Sequence, residues 1–150
     1  VWDVLDAGAD QIGVFGHGYT YSGHPVGAAA ALAALKLIDD LKVVENVADV
    51  GPYMMQQLRD RLGQHAHVGD IRGKGLMLGI ELVKDRETKE SLPAANRTGR
   101  QVLKAAAERG LITRALGDTL VFAPPLVITR ADADEIVDKF ALAVNDVLES

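Results

Sequence analysis

Hydrophobic positions along the chain follow two periods, and the changes between them mark out the elements. Trp2, Leu5 and Gly8 stand at the spacing of a short opening helix with a glycine stop. The alanine- and leucine-rich run 26–41 predicts a long helix. Ser22 is its candidate N-cap, and Pro25 falls in the first turn, where a missing N–H is tolerated. A break near Lys42 leads into a second helix, with Val43, Val47, Val50, Met54, Leu58 and Leu62 at helical spacing and Gly63 as its stop.

The period then changes. Leu76, Leu78, Ile80 and Leu82 alternate with Met77, Gly79, Glu81 and Val83, the pattern of a strand. A polar loop over 84–93 precedes a helix over 94–109 that closes on Gly110. Residues 111–114 and 119–122 form two short strand candidates around the turn Gly117-Asp118. After Thr129, a candidate N-cap, Ile136, Val137, Phe140, Val144 and Val147 share one helical face. Beyond the opening helix the order is helix, helix, strand, helix, strand, strand, helix. It predicts an α+β fold with long helices packed on one face of a small, mainly antiparallel sheet. No internal repeat or low-complexity tract interrupts it.

Composition narrows the function classes. With 150 residues and 48% hydrophobic content, the chain can build the core of one domain, or end one domain and add a smaller one. A formal charge of -5 argues against a general nucleic-acid or anionic-membrane binder, which needs a basic surface. No cysteine is present, which removes disulfides, thiolate catalysis and cysteine-based zinc sites and fits a reducing, cytoplasmic setting. The most apolar stretch, 26–35, meets Lys36 and is too short to cross a bilayer. No basic start with a following apolar run predicts a signal peptide, so the sequon Asn96-Arg97-Thr98 reads as chance. The chain opens at Val1 inside a helical pattern, which leads us to expect a fragment of a longer protein.

Candidate chemistry gathers before the long helix. In Phe15-Gly-His-Gly-Tyr-Thr-Tyr-Ser-Gly-His-Pro25, glycines let backbone amides approach a ligand and hydroxyls add donors, so a phosphate or carboxylate is a natural guest. The plainer alternative is a glycine-rich turn feeding a helix cap. Gly16-His-Gly18 lacks the later glycine of a dinucleotide fingerprint, and Gly69 to Gly75 has the wrong spacing for a P-loop. Ser22 is not in a nucleophile elbow, because Thr20 stands where that motif has its first glycine. His17 and His24 lack a third ligand, so no metal is expected. Arg114 ends an apolar strand before a glycine turn, where its planar fork could meet a carboxylate; a plain surface arginine or a structural ion pair is the alternative. Arg72-Gly-Lys-Gly75 reads as a tight turn with solvated side chains. Asp132, Asp134 and Glu135 complement the dipole of the last helix.

Taken together, several of these segments resemble class III, omega-type aminotransferases of the fold-type I pyridoxal-phosphate superfamily. The matching stretches are His17-Gly-Tyr-Thr-Tyr-Ser-Gly-His-Pro25, Ile71-Arg-Gly-Lys-Gly-Leu-Met-Leu-Gly-Ile-Glu81, Gly110-Leu-Ile-Thr-Arg114, Gly117-Asp118 and Ala123-Pro-Pro-Leu-Val-Ile-Thr129, in the family's order. The resemblance implies residues 1–25 as the tail of the large cofactor-binding domain and 26–150 as the C-terminal small domain. It implies that Thr20, with the backbone of Tyr19, holds the phosphate of pyridoxal 5'-phosphate bound in the neighbouring subunit of a homodimer. It places Arg114 on the family's mobile arginine, which pairs with a substrate carboxylate and swings aside for an uncharged amine. The wording Tyr-Ser-Gly-His-Pro is similar to amine:pyruvate and omega-amino-acid transaminases, whereas acetylornithine and glutamate-semialdehyde relatives carry Asn before that proline. The expected activity is transfer of an amino group from an amine or omega-amino acid to a keto acid such as pyruvate. The lysine that forms the Schiff base is expected upstream of Val1, so no catalytic residue is assigned and the segment alone is expected to be inactive. The alternatives are a non-catalytic α+β interaction module and a related pyridoxal-phosphate enzyme such as an aminomutase.

Overall fold

The structure is a computed structural model that describes residues 2–13, 16 and 18–149, with Ile12 described by its backbone alone. Phe15 and His17, both named in the glycine-rich segment, lie outside the described residues. The chain divides into two compact units, Val1–Leu37 and Ile38–Ser150.

The first unit holds α1 (Trp2–Ile12) and most of α2 (Pro25–Asp40). α1 runs past Gly8, the expected stop, because Ala9 to Ile12 are all competent to continue it. It ends at Gly13, whose φ of 82° is the left-handed conformation that suits a glycine terminator. α2 begins at Pro25, two residues later than a Ser22 cap would place it, because the Ser22 hydroxyl is engaged elsewhere (below).

The second unit is built on a four-stranded antiparallel sheet with order β1-β2-β4-β3: β1 (Val68–Lys74), β2 (Met77–Leu82), β3 (Arg114–Leu116) and β4 (Thr119–Phe122). β2 and the 119–122 strand follow the alternation in the sequence. β1 is the element that periodicity conceals: its register shifts between Val68 and Asp70, so the buried residues Val68 and Ile71 stand three apart instead of two. Arg72 is accordingly a strand residue, not a turn residue, and its guanidinium bridges Asp70 at 3.0 Å and Glu81 at 2.7 Å. β3 starts at Arg114, later than expected, because Thr113 bonds the facing strand through its hydroxyl (to the Val121 carbonyl, 2.7 Å).

Three helices supply the apolar faces that close the core: α3 (Val43–Leu62), α4 (Thr98–Glu108) and α5 (Arg130–Leu148). Val50, Met54, Leu58 and Leu62 form the buried stripe of α3, and Val137, Phe140 and Val144 that of α5. They meet Leu78, Ile80, Leu82, Leu120 and Phe122 from the sheet, with Phe122 and Phe140 edge to face at 4.9 Å. Lys42 turns the chain into α3 at a φ of 50°. α4 starts later than the predicted 94, because Ala94–Asn96 forms a 3-10 turn and Arg97 adopts a left-handed backbone at φ 49°. α5 opens with a full capping box: the Thr129 hydroxyl accepts from the Asp132 N–H, and the Asp132 carboxylate accepts from the Thr129 N–H at 2.7 Å.

Candidate functional site

Tyr19 and Thr20 sit together in one tight turn of the first unit. The Ser22 N–H donates to the Tyr19 carbonyl at 3.0 Å, and the Tyr19 N–H donates to Ser22 Oγ at 3.0 Å. Ser22 therefore closes the turn on itself instead of capping α2, and Tyr19 contributes its amide to the turn. Gly23, with a φ of 74°, lets the chain reverse into the helix. Thr20 is exposed at the crest. Among the described residues, chain neighbours aside, nothing lies within 4 Å of a Cβ built on Gly16, Gly18 or Gly23, so the backbone here can be approached closely from outside. A hydroxyl, a rigid turn and an open glycine flank suit a phosphate brought by another body; they offer donors without enclosing the ligand themselves. Of the two implied contacts, the exposed Thr20 hydroxyl suits the phosphate of the implied cofactor, whereas the Tyr19 N–H is engaged by Ser22 Oγ.

Arg114 belongs to the second unit. It opens β3, an edge strand, with its backbone opposite Val121. The hairpin that carries it is fixed at both ends. Thr113 extends the pairing one residue before Arg114, and at the turn the Asp118 carboxylate accepts from the N–H of Gly99, 2.8 Å away, at the start of α4. Arg114 is exposed on the wall of a cleft of about 490 Å³, among Ile112, Phe122, Ala123, Pro124 and Pro125. Arg61, Arg72, Arg109 and Arg130 each pair with a carboxylate. Among the described residues no carboxylate pairs with Arg114, so its fork is available to an incoming anion.

The remaining candidates resolve into structure. Asp132 is a cap, Asp134 accepts from the Tyr53 hydroxyl at 2.7 Å, and Glu135 pairs with Lys139 at 2.5 Å. Among the described residues no group of three His, Asp or Glu is placed to hold a metal ion. No helix of the described residues is long and apolar enough to cross a membrane. Sequence reading passed over two supports of the elements around Arg114: Asn46, which donates to the Leu126 and Ile128 carbonyls, and the carboxylate of Asp118, which accepts from Gly99. A polar residue facing the protein on an otherwise apolar helix stripe was the signal for the first.

Comparison with known proteins identifies the family. The aminotransferase class-III family model matches residues 5–144. An uncharacterized aminotransferase of Sinorhizobium fredii is 48% identical over 99% of this chain and 32% of its own length. A diaminobutyrate–2-oxoglutarate transaminase of Halomonas elongata is 40% identical over 100% of this chain and 32% of its own. Among solved structures, the PMP-bound form of an aminotransferase from Vibrio fluvialis superposes with a TM-score of 0.88 at 32% identity, covering 99% of this chain and 32% of that one. The chain spans about a third of the length of the relatives it matches. The matches run over nearly the whole chain, and the chain belongs to the class-III aminotransferase family.

Proposed function

We propose that this chain is the carboxy-terminal part of a pyridoxal-phosphate-dependent transaminase that moves an amino group from an amine or omega-amino acid to a keto acid such as pyruvate. On this reading residues 1–25 finish a large cofactor-binding domain, residues 26–150 form the small domain, and the active site is completed in a homodimer. The bound cofactor supplies the electron sink for the transfer. What this chain adds is placement and charge. The Thr20 hydroxyl donates to a phosphate oxygen of a cofactor held by the neighbouring subunit, while Ser22 keeps the turn shaped for that contact. The Arg114 guanidinium receives a substrate carboxylate in the cleft, through two parallel N–H donors.

The observation that carries the reading is the exposed guanidinium of Arg114, which no carboxylate among the described residues pairs, on a cleft that it shares with Thr113 and with apolar groups and prolines. The test is Arg114→Ala in the full-length polypeptide. Loss of a charge-assisted pair predicts a fall of roughly tenfold to hundredfold in kcat/KM for carboxylate-bearing substrates. Simple amines should be largely spared. Equal loss for both would remove the carboxylate role. A companion measurement, the absorbance of bound pyridoxal phosphate in Thr20→Ala, should show weaker cofactor retention; unchanged retention would dissociate Thr20 from the phosphate.

A further inference from the structure

The cleft beside Arg114 owes one wall to the segment between β4 and α5. Ala123, Pro124 and Pro125 line it together with Arg114. The next residues form a turn in which the Ile128 N–H donates to the Pro125 carbonyl at 3.2 Å. Consecutive prolines have no N–H, so Pro124 and Pro125 cannot be tied down by donation from their own backbone. Leu126 and Val127 at the tip are exposed, while Ile128 is buried as a plug. A segment of this composition needs an anchor from elsewhere if the cleft is to keep its width.

That anchor stands 80 residues earlier in the chain. Asn46, half-buried in the first turn of α3, donates from Nδ2 to the Leu126 carbonyl at 2.9 Å and to the Ile128 carbonyl at 3.0 Å. Carbonyl oxygens only accept, so the amide must present its nitrogen, and both of its hydrogens are used. One side chain thereby satisfies two loop carbonyls and fastens the turn to a core helix.

We propose that Asn46 is a positioning residue for the carboxylate end of the substrate site: it holds segment 123–128 against α3, so that a substrate carboxylate meets Arg114 in a preformed cleft. It touches neither substrate nor cofactor, and the proposal rests on the Arg114 reading above. Asn46→Asp is the most informative variant because it keeps the size of the side chain. It replaces two donors with a carboxylate facing two carbonyl oxygens. Asn46→Ser, which shortens the donor without adding charge, serves if the aspartate variant does not fold.

The experiment uses the full-length polypeptide loaded with pyridoxal phosphate and compares γ-aminobutyrate with butylamine, the same chain with and without a carboxylate. Loss of the two bonds predicts a rise of about fivefold to tenfold in KM for γ-aminobutyrate, with kcat and the KM for butylamine within about twofold of wild type. Amide hydrogen exchange should accelerate at residues 126–129 and stay unchanged in β1 and β2. An equal rise for both amines, or unchanged exchange in the loop, would overturn the proposal. If Arg114→Ala itself leaves the γ-aminobutyrate KM unchanged, the reading of Arg114 falls and this inference falls with it. If Arg114→Ala raises that KM and the Asn46 variants do not, only the inference is lost.

Discussion

His65 is a residue whose ionisation the fold opposes. Its side chain is 9% exposed and its Nδ1 accepts from the His67 N–H at 3.1 Å, so the neutral ring carries its hydrogen on Nε2. A second proton would have to displace that bond. Burial lowers its pKa below the ordinary 6.5; Glu149, whose carboxylate lies 3.6 Å from Nε2, pulls the other way, and His67 adds to the lowering. Because the folded value is the lower one, the unfolded chain binds the proton first as pH falls. The stability His65 contributes is whole above pH 6.5 and is lost as pH drops through the folded value. Urea midpoints should therefore hold steady above the ordinary 6.5 and decline as pH falls below it, and His65→Gln should flatten that decline. An undiminished slope in the variant would point to another group. Asp49, held low first by the Arg130 hydrogen bond, Asp85, by the Thr88 N–H, and Asp132, by the Thr129 N–H, act in a separate window. Their pKa values lie below the ordinary 3.8, so their contribution is present above that value and disappears only in stronger acid.

At the scale of elements, α4 shows how a helix without a cap of its own is completed from a distance. Arg97, at its cap position, makes no side-chain cap bond; the missing acceptor comes from Asp118 in the β3–β4 turn. Gly99 makes the approach possible, since a Cβ there would press on the Gly117 carbonyl. Backbone meeting backbone has no flexible side chain to yield. Gly99→Ala should therefore destabilise by about 1–3 kcal/mol in thermal or denaturant unfolding. A change under about 0.5 kcal/mol would show that the hairpin shifts freely. The hairpin also carries Arg114, so the same substitution is expected to disturb carboxylate handling. The contact of α3 with the β1–β2 turn follows the same rule: a Cβ on Gly51 would stand 2.6 Å from the Gly75 carbonyl carbon.

At the scale of the whole molecule, the two units differ in what they bury. The second carries a continuous core, whereas α2 has no buried residue among its sixteen. Leu32 is 69% and Leu35 59% exposed on an alanine-rich helix. Apolar groups spread around a helix in this way are those of an element meant to be covered. The 150-residue chain alone is expected to associate as its concentration rises, and Leu32→Glu with Leu35→Glu should shift it toward monomer in size-exclusion chromatography. Elution as a monomer at every concentration would contradict this.

Local chemistry was legible in the sequence wherever one residue's neighbours decide its state. The stripe of α3, the alternation of β2 and the Thr129 cap all rest on contacts within a few positions, and periodicity records such contacts directly. Tertiary structure decided the rest. The bulge that hides β1, the use of Ser22 to close its own turn, the capping of α4 by Asp118 and the grip of Asn46 on a loop 80 residues away depend on which unpaired N–H or carbonyl arrives beside which side chain. Hydrogen-bond satisfaction is settled in space, and sequence order does not encode the distance between a donor on one element and an acceptor on another.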